Sequence, residues 1–321
     1  MDHEARLLRR ERARRRARRR RRVALGAVVA AVLGGALVGG LRVLGSGGDD
    51  EEAARRPAPR AELPGGGRRI LPGRRVVAFY GAPQDQQLGA LGIGSPDAAA
   101  RRLRRQARPY ARRRRPVLPA FELIAAIATA APGEGGNYSD RLPARTIDRY
   151  LHAARRHRSL LVLDIQPGHA PFTGEARALE RWLREPEVSL ALDPEWSLPP
   201  GQVPGRQIGS TDAATINEVS RYLSRIVRER DLPQKLLVVH RFTRDMIRDE
   251  AQLERHPGVA LVVNVDGFGD RANKVAKYRE FTRGVRGRFH GFKLFYEEDT
   301  GLMSPRRVLG LRPPPDIVVY E

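Results

Sequence analysis

Cysteine is absent from all 321 residues, which excludes disulfides, thiolate metal sites, a cysteine nucleophile and a lipid-modified cysteine. Lysine is nearly absent: it supplies four of the 59 basic residues and arginine the rest. That bias reads as the codon usage of a GC-rich genome and not as selection for bidentate phosphate contacts. Spaced chemical signatures are missing as well. No HxH or HExxH pattern points to a metal and no GxSxG elbow to a serine nucleophile. The first β-rich run ends in Tyr80-Gly81-Ala82-Pro83, without the glycine-rich phosphate turn of a dinucleotide fold. No cofactor and no metal are therefore expected, although His240 with Asp164 and Asp193 would form a His/carboxylate set.

Acidic residues are scarce in one part of the chain only. The formal net charge is +22, of which residues 1–60 carry +9, residues 61–116 carry +10 and residues 117–321 only +3. The high isoelectric point thus describes the N-terminal third. A nucleic-acid partner would need a basic face on the globular part, and none is expected. Residues 1–22 hold twelve Arg and no apolar run; Val23–Leu41 follows as nineteen uncharged Ala, Val, Leu and Gly. At ~1.5 Å rise per residue such a run spans roughly the ~30 Å hydrocarbon core. The Arg-rich flank should stay cytoplasmic. The expectation is a single-pass signal-anchor over 23–41, a cytoplasmic tail over 1–22, and a body on the outer side of the cell membrane. A cleaved signal peptide competes with this reading, but the apolar run is long for one and no small-x-small site precedes Asp49. A nucleic-acid arm followed by a buried helix is disfavoured, because the run has no polar face. Residues 42–73, rich in Gly, Pro, Ala and charge, read as a flexible linker.

From residue 74 to 321, short apolar runs alternate with amphipathic stretches of helical length. The strand candidates are 75–80, 117–123, 160–165, 188–192, 235–240, 259–265, 291–296 and 316–320. Helices are expected from Ser95-Pro96-Asp97 onward, over 143–157, 174–184, 211–230, 243–256 and 271–285, with Trp182 on an apolar stripe and therefore in the core. Eight strands with helical connections over about 245 residues match a parallel (β/α)₈ TIM-type barrel. An open doubly wound sheet is the alternative.

Polar residues recur where the apolar runs end: Glu122, Leu163-Asp164-Ile165-Gln166-Pro167-Gly168, Leu192-Asp193-Pro194-Glu195-Trp196, His240, Asn264-Val265-Asp266, and Lys293 with Tyr296-Glu297-Glu298-Asp299. In a parallel barrel all of these lie at the C-terminal rim. Period-two alternation puts Asp164 with Gln166, Asp193 with Glu195, and Asn264 with Asp266 on shared faces. Each acid alone could be a helix cap, but their convergence on one mouth argues for a shared site. Two carboxyl groups flanking a glycosidic bond can act as acid and base, or as acid and nucleophile. The catalytic candidates are Asp193, Glu195, Asp164 and Asp266, with Glu195 as the acid and Asp193 or Asp266 as its partner. Tyr80, Glu122, Gln166, Trp196, His240, Asn264, Tyr296 and Glu297 are expected to bind substrate.

On those strand-end phrases, residues 74–321 resemble actinobacterial extracytoplasmic proteins with a glycoside-hydrolase-like barrel. The resemblance implies action on cell-wall or extracellular polysaccharide, or a non-catalytic barrel that binds wall glycan or a protein partner. It carries over no residue roles.

Overall fold

The computed structural model describes residues 60–321 apart from positions 84, 134 and 286. The Arg-rich tail and the apolar run over 23–41 lie outside the described residues. Among the described residues no helix is long and apolar enough to cross a membrane.

Eight strands close into one parallel barrel: β1 (Arg75–Gly81), β2 (Val117–Ala128), β3 (Leu160–Ile165), β4 (Val188–Leu192), β5 (Lys235–Arg241), β6 (Val259–Val265), β7 (Phe289–Leu294) and β8 (Ile317–Tyr320). Each strand pairs in parallel with the next, and β1 pairs with both β2 and β8. That closure rules out the open doubly wound sheet. The short strand Ser139–Arg141 returns antiparallel along the end of β2.

The strands are buried on both faces, as their unbroken apolar runs demand. Inward residues Val76, Leu118, Val162, Val238, Val262 and Val319 fill the lower barrel as one cluster. Outward residues such as Val77, Leu161, Leu190 and Leu237 pack under the helices. Those helices are α1 (Pro96–Ala107), α2 (Ala144–Arg156), α3 (Phe172–Ala178), α4 (Glu180–Leu183), α5 (Ala213–Glu229), α6 (Arg271–Thr282) and the single turn-and-a-half α7 (Pro305–Leu309). Local chemistry sets their starts. Ser95 Oγ accepts from Ala98 N with Pro96 in the first turn, and the Asp212 carboxylate accepts from Thr215 N, each satisfying an amide that the helix itself leaves open. Trp182 is buried and its indole N–H donates to Asp148 at 2.7 Å.

Two expectations need correction. The helix expected over 243–256 is absent: the segment folds as two 3₁₀ turns around the bridge Ile247–Arg248. Asp249 there takes a left-handed φ of 52°, which breaks the helical run, while Arg241 and Arg288 both pair with Glu250 and tie the segment down. Residues 60–73, expected as linker, belong in part to the body. Leu63, Ile70 and Leu71 are buried in the inner cluster at the N-terminal end of the barrel. The amides of Ile70 and Leu71 both donate to Gln234 Oε1, at 2.8 and 2.9 Å.

Candidate functional site

Parallel pairing brings the polar strand ends together. In the sheet register Tyr80 lies beside Glu122, and His240 beside Asn264. Most inward side chains above the valine layers are polar, and most of these are nearly sealed from solvent. Tyr80, Asp164, Gln166, His240 and Asn264 are 0% exposed, while Glu122, Asp193, Glu195, Asp266 and Lys293 reach at most 2%. This places most of the expected residues in one cluster.

His240 is its hub. Nε2 lies 2.8 Å from Glu122 Oε1 and 3.9 Å from Asp164 Oδ1, and Nδ1 lies 3.2 Å from Asp266 Oδ2. Asn264 Nδ2 is 3.3 Å from the same Nδ1. A second chain of bonds fixes the opposite wall: Gln166 Nε2 donates to Tyr80 Oη at 3.0 Å, and Tyr80 donates to Asp164 Oδ2 at 2.9 Å. Lys293 joins from β7, its ammonium 3.6 Å from Asp266, 2.8 Å from Glu321 and 3.5 Å above the Tyr80 ring. The donor atoms of Glu122, Asp164 and His240 lie within 4.8 Å of one another, a spacing that one divalent ion could bridge at about 2.0–2.2 Å to each ligand.

The electrostatics separate the carboxyl groups. Buried acids resist ionisation, and neighbouring acids add to the resistance. Burial, reinforced by Asp164, Glu195 and Asp266 against the opposing pull of His240, pushes Asp193 up to about 8. Burial also raises Asp164, to about 6, where Glu122 adds to the shift while His240, Lys293 and the Tyr80 hydrogen bond oppose it. For His240 burial acts against the charge, yet Glu122 and Asp266 outweigh it and hold the ring well above its ordinary value. Oδ1 of Asp164 and Oδ1 of Asp193 have no hydrogen-bond partner among the described residues. The cluster therefore favours the charged form of His240 and the neutral form of Asp193.

Two expected members fall elsewhere. Tyr296 is 41% exposed, stacks on Tyr320 and reaches Gln106 of α1; Glu297 beside it is exposed as well. Strand β7 turns Gly291 and Lys293 inward but ends at Leu294, two residues before the expected strand does, so Tyr296 and Glu297 lie beyond it. The same alternation, carried through β7 and β8, selects Lys293 from the polar residues of the seventh run and adds Glu321, which no sequence signal had singled out. Trp196 is buried in the turn Pro194–Trp196 that follows β4.

Gly291 has a specific part in this arrangement. A Cβ there would sit 2.2 Å from Asn264 Oδ1, so only glycine leaves room for the asparagine against His240. Gly291→Ala is expected to push Asn264 off the imidazole and to destabilise the protein by about 1–3 kcal/mol through overpacking. Chemical denaturation would check this, and an unchanged midpoint would refute it.

The fold and the site define a (β/α)₈ barrel with a buried carboxylate–histidine–lysine cluster at its C-terminal mouth. No family model matches the chain, and no curated protein matches it. Among solved structures it is similar to a spore coat polysaccharide biosynthesis protein of Bacillus subtilis, with 10% identity and a TM-score of 0.42, over 77% of this chain and 59% of that one. It is also similar to a GH18 chitinase from Pseudoalteromonas aurantia, with 9% identity and a TM-score of 0.35, over 77% of this chain and 93% of that one. The chain thus spans under two thirds of the first of these proteins. Identity this low leaves function to rest on the chain's own site.

Proposed function

We propose that this is a glycoside-hydrolase-like protein, anchored by its N-terminal apolar run and acting outside the cell membrane on cell-wall or extracellular polysaccharide through paired carboxyl groups. The observation that carries the reading is the unequal setting of the carboxyl groups at the mouth. Burial and neighbouring acids push Asp193 up to about 8, while Asp266 lies against His240 and Lys293. Carboxyl groups whose surroundings push their proton affinities apart supply an acid and a base to the same bond. Asp193 then donates to the leaving oxygen, and Asp266 or Glu195 is the base or nucleophile. The acid's role is assigned here to Asp193, raised by burial and by Asp164, Glu195 and Asp266, in place of Glu195. Tyr80 and Trp196 supply aromatic walls. The division into tail (1–22), anchor (23–41), linker and barrel belongs to the same proposal.

One observation favours a second reading. The whole cluster is sealed, so turnover requires the segments after β2 and β4 to leave the mouth. Those segments are closely fitted: Gly168 packs on the Asn137 and Tyr138 carbonyls, and Gly209 on those of Pro194, Glu195 and Ser197. A barrel that stays shut would be a non-catalytic binder of wall glycan or of a protein partner, with the cluster as its polar core. Incubating the full chain with a panel of wall glycans separates the two. Cleavage that Asp193→Asn abolishes supports the enzyme, whereas binding without cleavage supports the binder.

A further inference from the structure

The barrel is electrically polarised from end to end, and its basic end is the one from which the chain leads back to the N-terminal apolar run. Parallel strands place every segment that enters a strand on one face and every segment that leaves on the other. Over the described residues, the entering segments hold 16 Arg and six Asp or Glu, while the leaving segments hold four Arg and 14 Asp or Glu. The net positive charge is also concentrated in one sector of the base. Segments entering β1, β2 and β7 supply the excess, that entering β8 between them is balanced, and the remaining four are neutral as a group. Because β7, β8, β1 and β2 are neighbours in the barrel, these segments form one continuous patch.

Within that patch Arg69, Arg108, Arg112, Arg113, Arg114 and Arg283 are exposed and form no ion pair among the described residues. Residues 98–121 contain nine Arg and not one acid. The general preference for arginine over lysine explains which cation stands here; it does not explain the missing acids. Folding does not require a single sign either, since a mixed-charge surface would be equally soluble. Arg60, the first described residue, lies in a segment entering this face. Only 18 residues separate it from the apolar run that ends at Leu41, a reach of roughly 60 Å at full extension.

We infer that this arginine sector is a docking face for an anionic lipid surface, which sets the barrel base-down on the bilayer with its acidic mouth pointing away. Phosphate headgroups present the fixed negative charge that such a sector recognises. The opposite face, with its excess of acids, is repelled by it. The inference stands apart from the proposed catalysis, and its test reads orientation alone.

Because the chain has no cysteine, one introduced cysteine gives one labelled site. Ala111→Cys labels the base and Ala131→Cys the mouth side, both at exposed alanines. Energy transfer from each label to a headgroup-tagged lipid is measured with the full chain on phosphatidylcholine vesicles, with and without phosphatidylglycerol. On vesicles containing phosphatidylglycerol, transfer from residue 111 should exceed that from residue 131 by at least about twofold. The asymmetry should collapse near 1 M salt, where screening acts over about 3 Å, and in the Arg113→Gln/Arg114→Gln variant. Equal transfer from both sites overturns the inference, as does the same asymmetry on neutral vesicles. Retention of the full chain on immobilised polyphosphate with no lipid-dependent asymmetry assigns the sector to a soluble polyanion and overturns it too.

Discussion

Asp193→Asn is expected to stabilise the protein at pH 9 by about 2 kcal/mol or more, and to change stability little below pH 4. The folded chain keeps the Asp193 proton up to about pH 8, whereas the free side chain releases it near 3.8. Between those values the folded state binds more protons than the unfolded one, so stability falls as pH rises, by about 1.4 kcal/mol per unit for a fully coupled group. Asp164 adds a shorter decline between 3.8 and about 6. His240 has the same sign: its contribution is complete below the ordinary histidine value and is lost as pH climbs through its raised one. Asparagine has the shape of the protonated acid and cannot ionise, so it removes the largest of these penalties. For a domain of this size the gain corresponds to at least about 5 °C in melting temperature. Melts of the full chain and the variant across pH 4–9 check this. A variant that melts with or below the parent at pH 9 would show that Asp193 is not held protonated by the fold.

The same substitution should remove activity. If Asp193 protonates the leaving oxygen, glycan cleavage by Asp193→Asn should fall by about 10²–10⁴-fold, the usual contribution of a positioned acid. Asp266→Asn should fall comparably by removing its partner. In the parent, cleavage should decline as pH rises through about 8, because the acid is then lost. The combination is diagnostic: a variant both more stable and less active marks a site where function is maintained against folding. A chelator arm belongs in the experiment. The paired-carboxyl account expects turnover to survive chelation, whereas a metal held by Glu122, Asp164 and His240 would make turnover depend on it. Cleavage that persists in Asp193→Asn at the parent's rate would sink the assignment of the acid.

Much of this was legible in the residues. Eight apolar runs became eight strands, and the barrel followed from their number, their spacing and the helical stretches between them. Period-two alternation located Asp164, Asp193 and Asp266, because a strand's parity is fixed once its inward valines are known. Extended to β7, it separates the inward Lys293 from the exposed Tyr296, which the polar run-end alone does not. Other features were beyond reach. The helix expected over 243–256 failed because its apolar spacing was real while Asp249 and the Glu250 ion pairs, made with Arg241 and the distant Arg288, decided its shape. Ile70 and Leu71 gave no periodicity, since two apolar residues closing a barrel's end need none. The close backbone contacts at Gly168 and Gly209 are likewise announced by no local pattern. Nor does sequence alone assign a proton: the rise at Asp193 comes from burial and from acids such as Asp164 and Asp266 that only the folded chain brings near it.

Everything turns on one carboxyl group that stays protonated inside the barrel at neutral pH. Difference infrared spectroscopy of the full chain, with Asp193→Asn as the reference, observes that proton through the carbonyl stretch of the neutral acid. The account predicts a protonated-carboxyl band that persists at pH 7, titrates away near pH 8 and is missing from the variant. A spectrum in which no such band survives once the pH has passed the ordinary carboxylate range would contradict it.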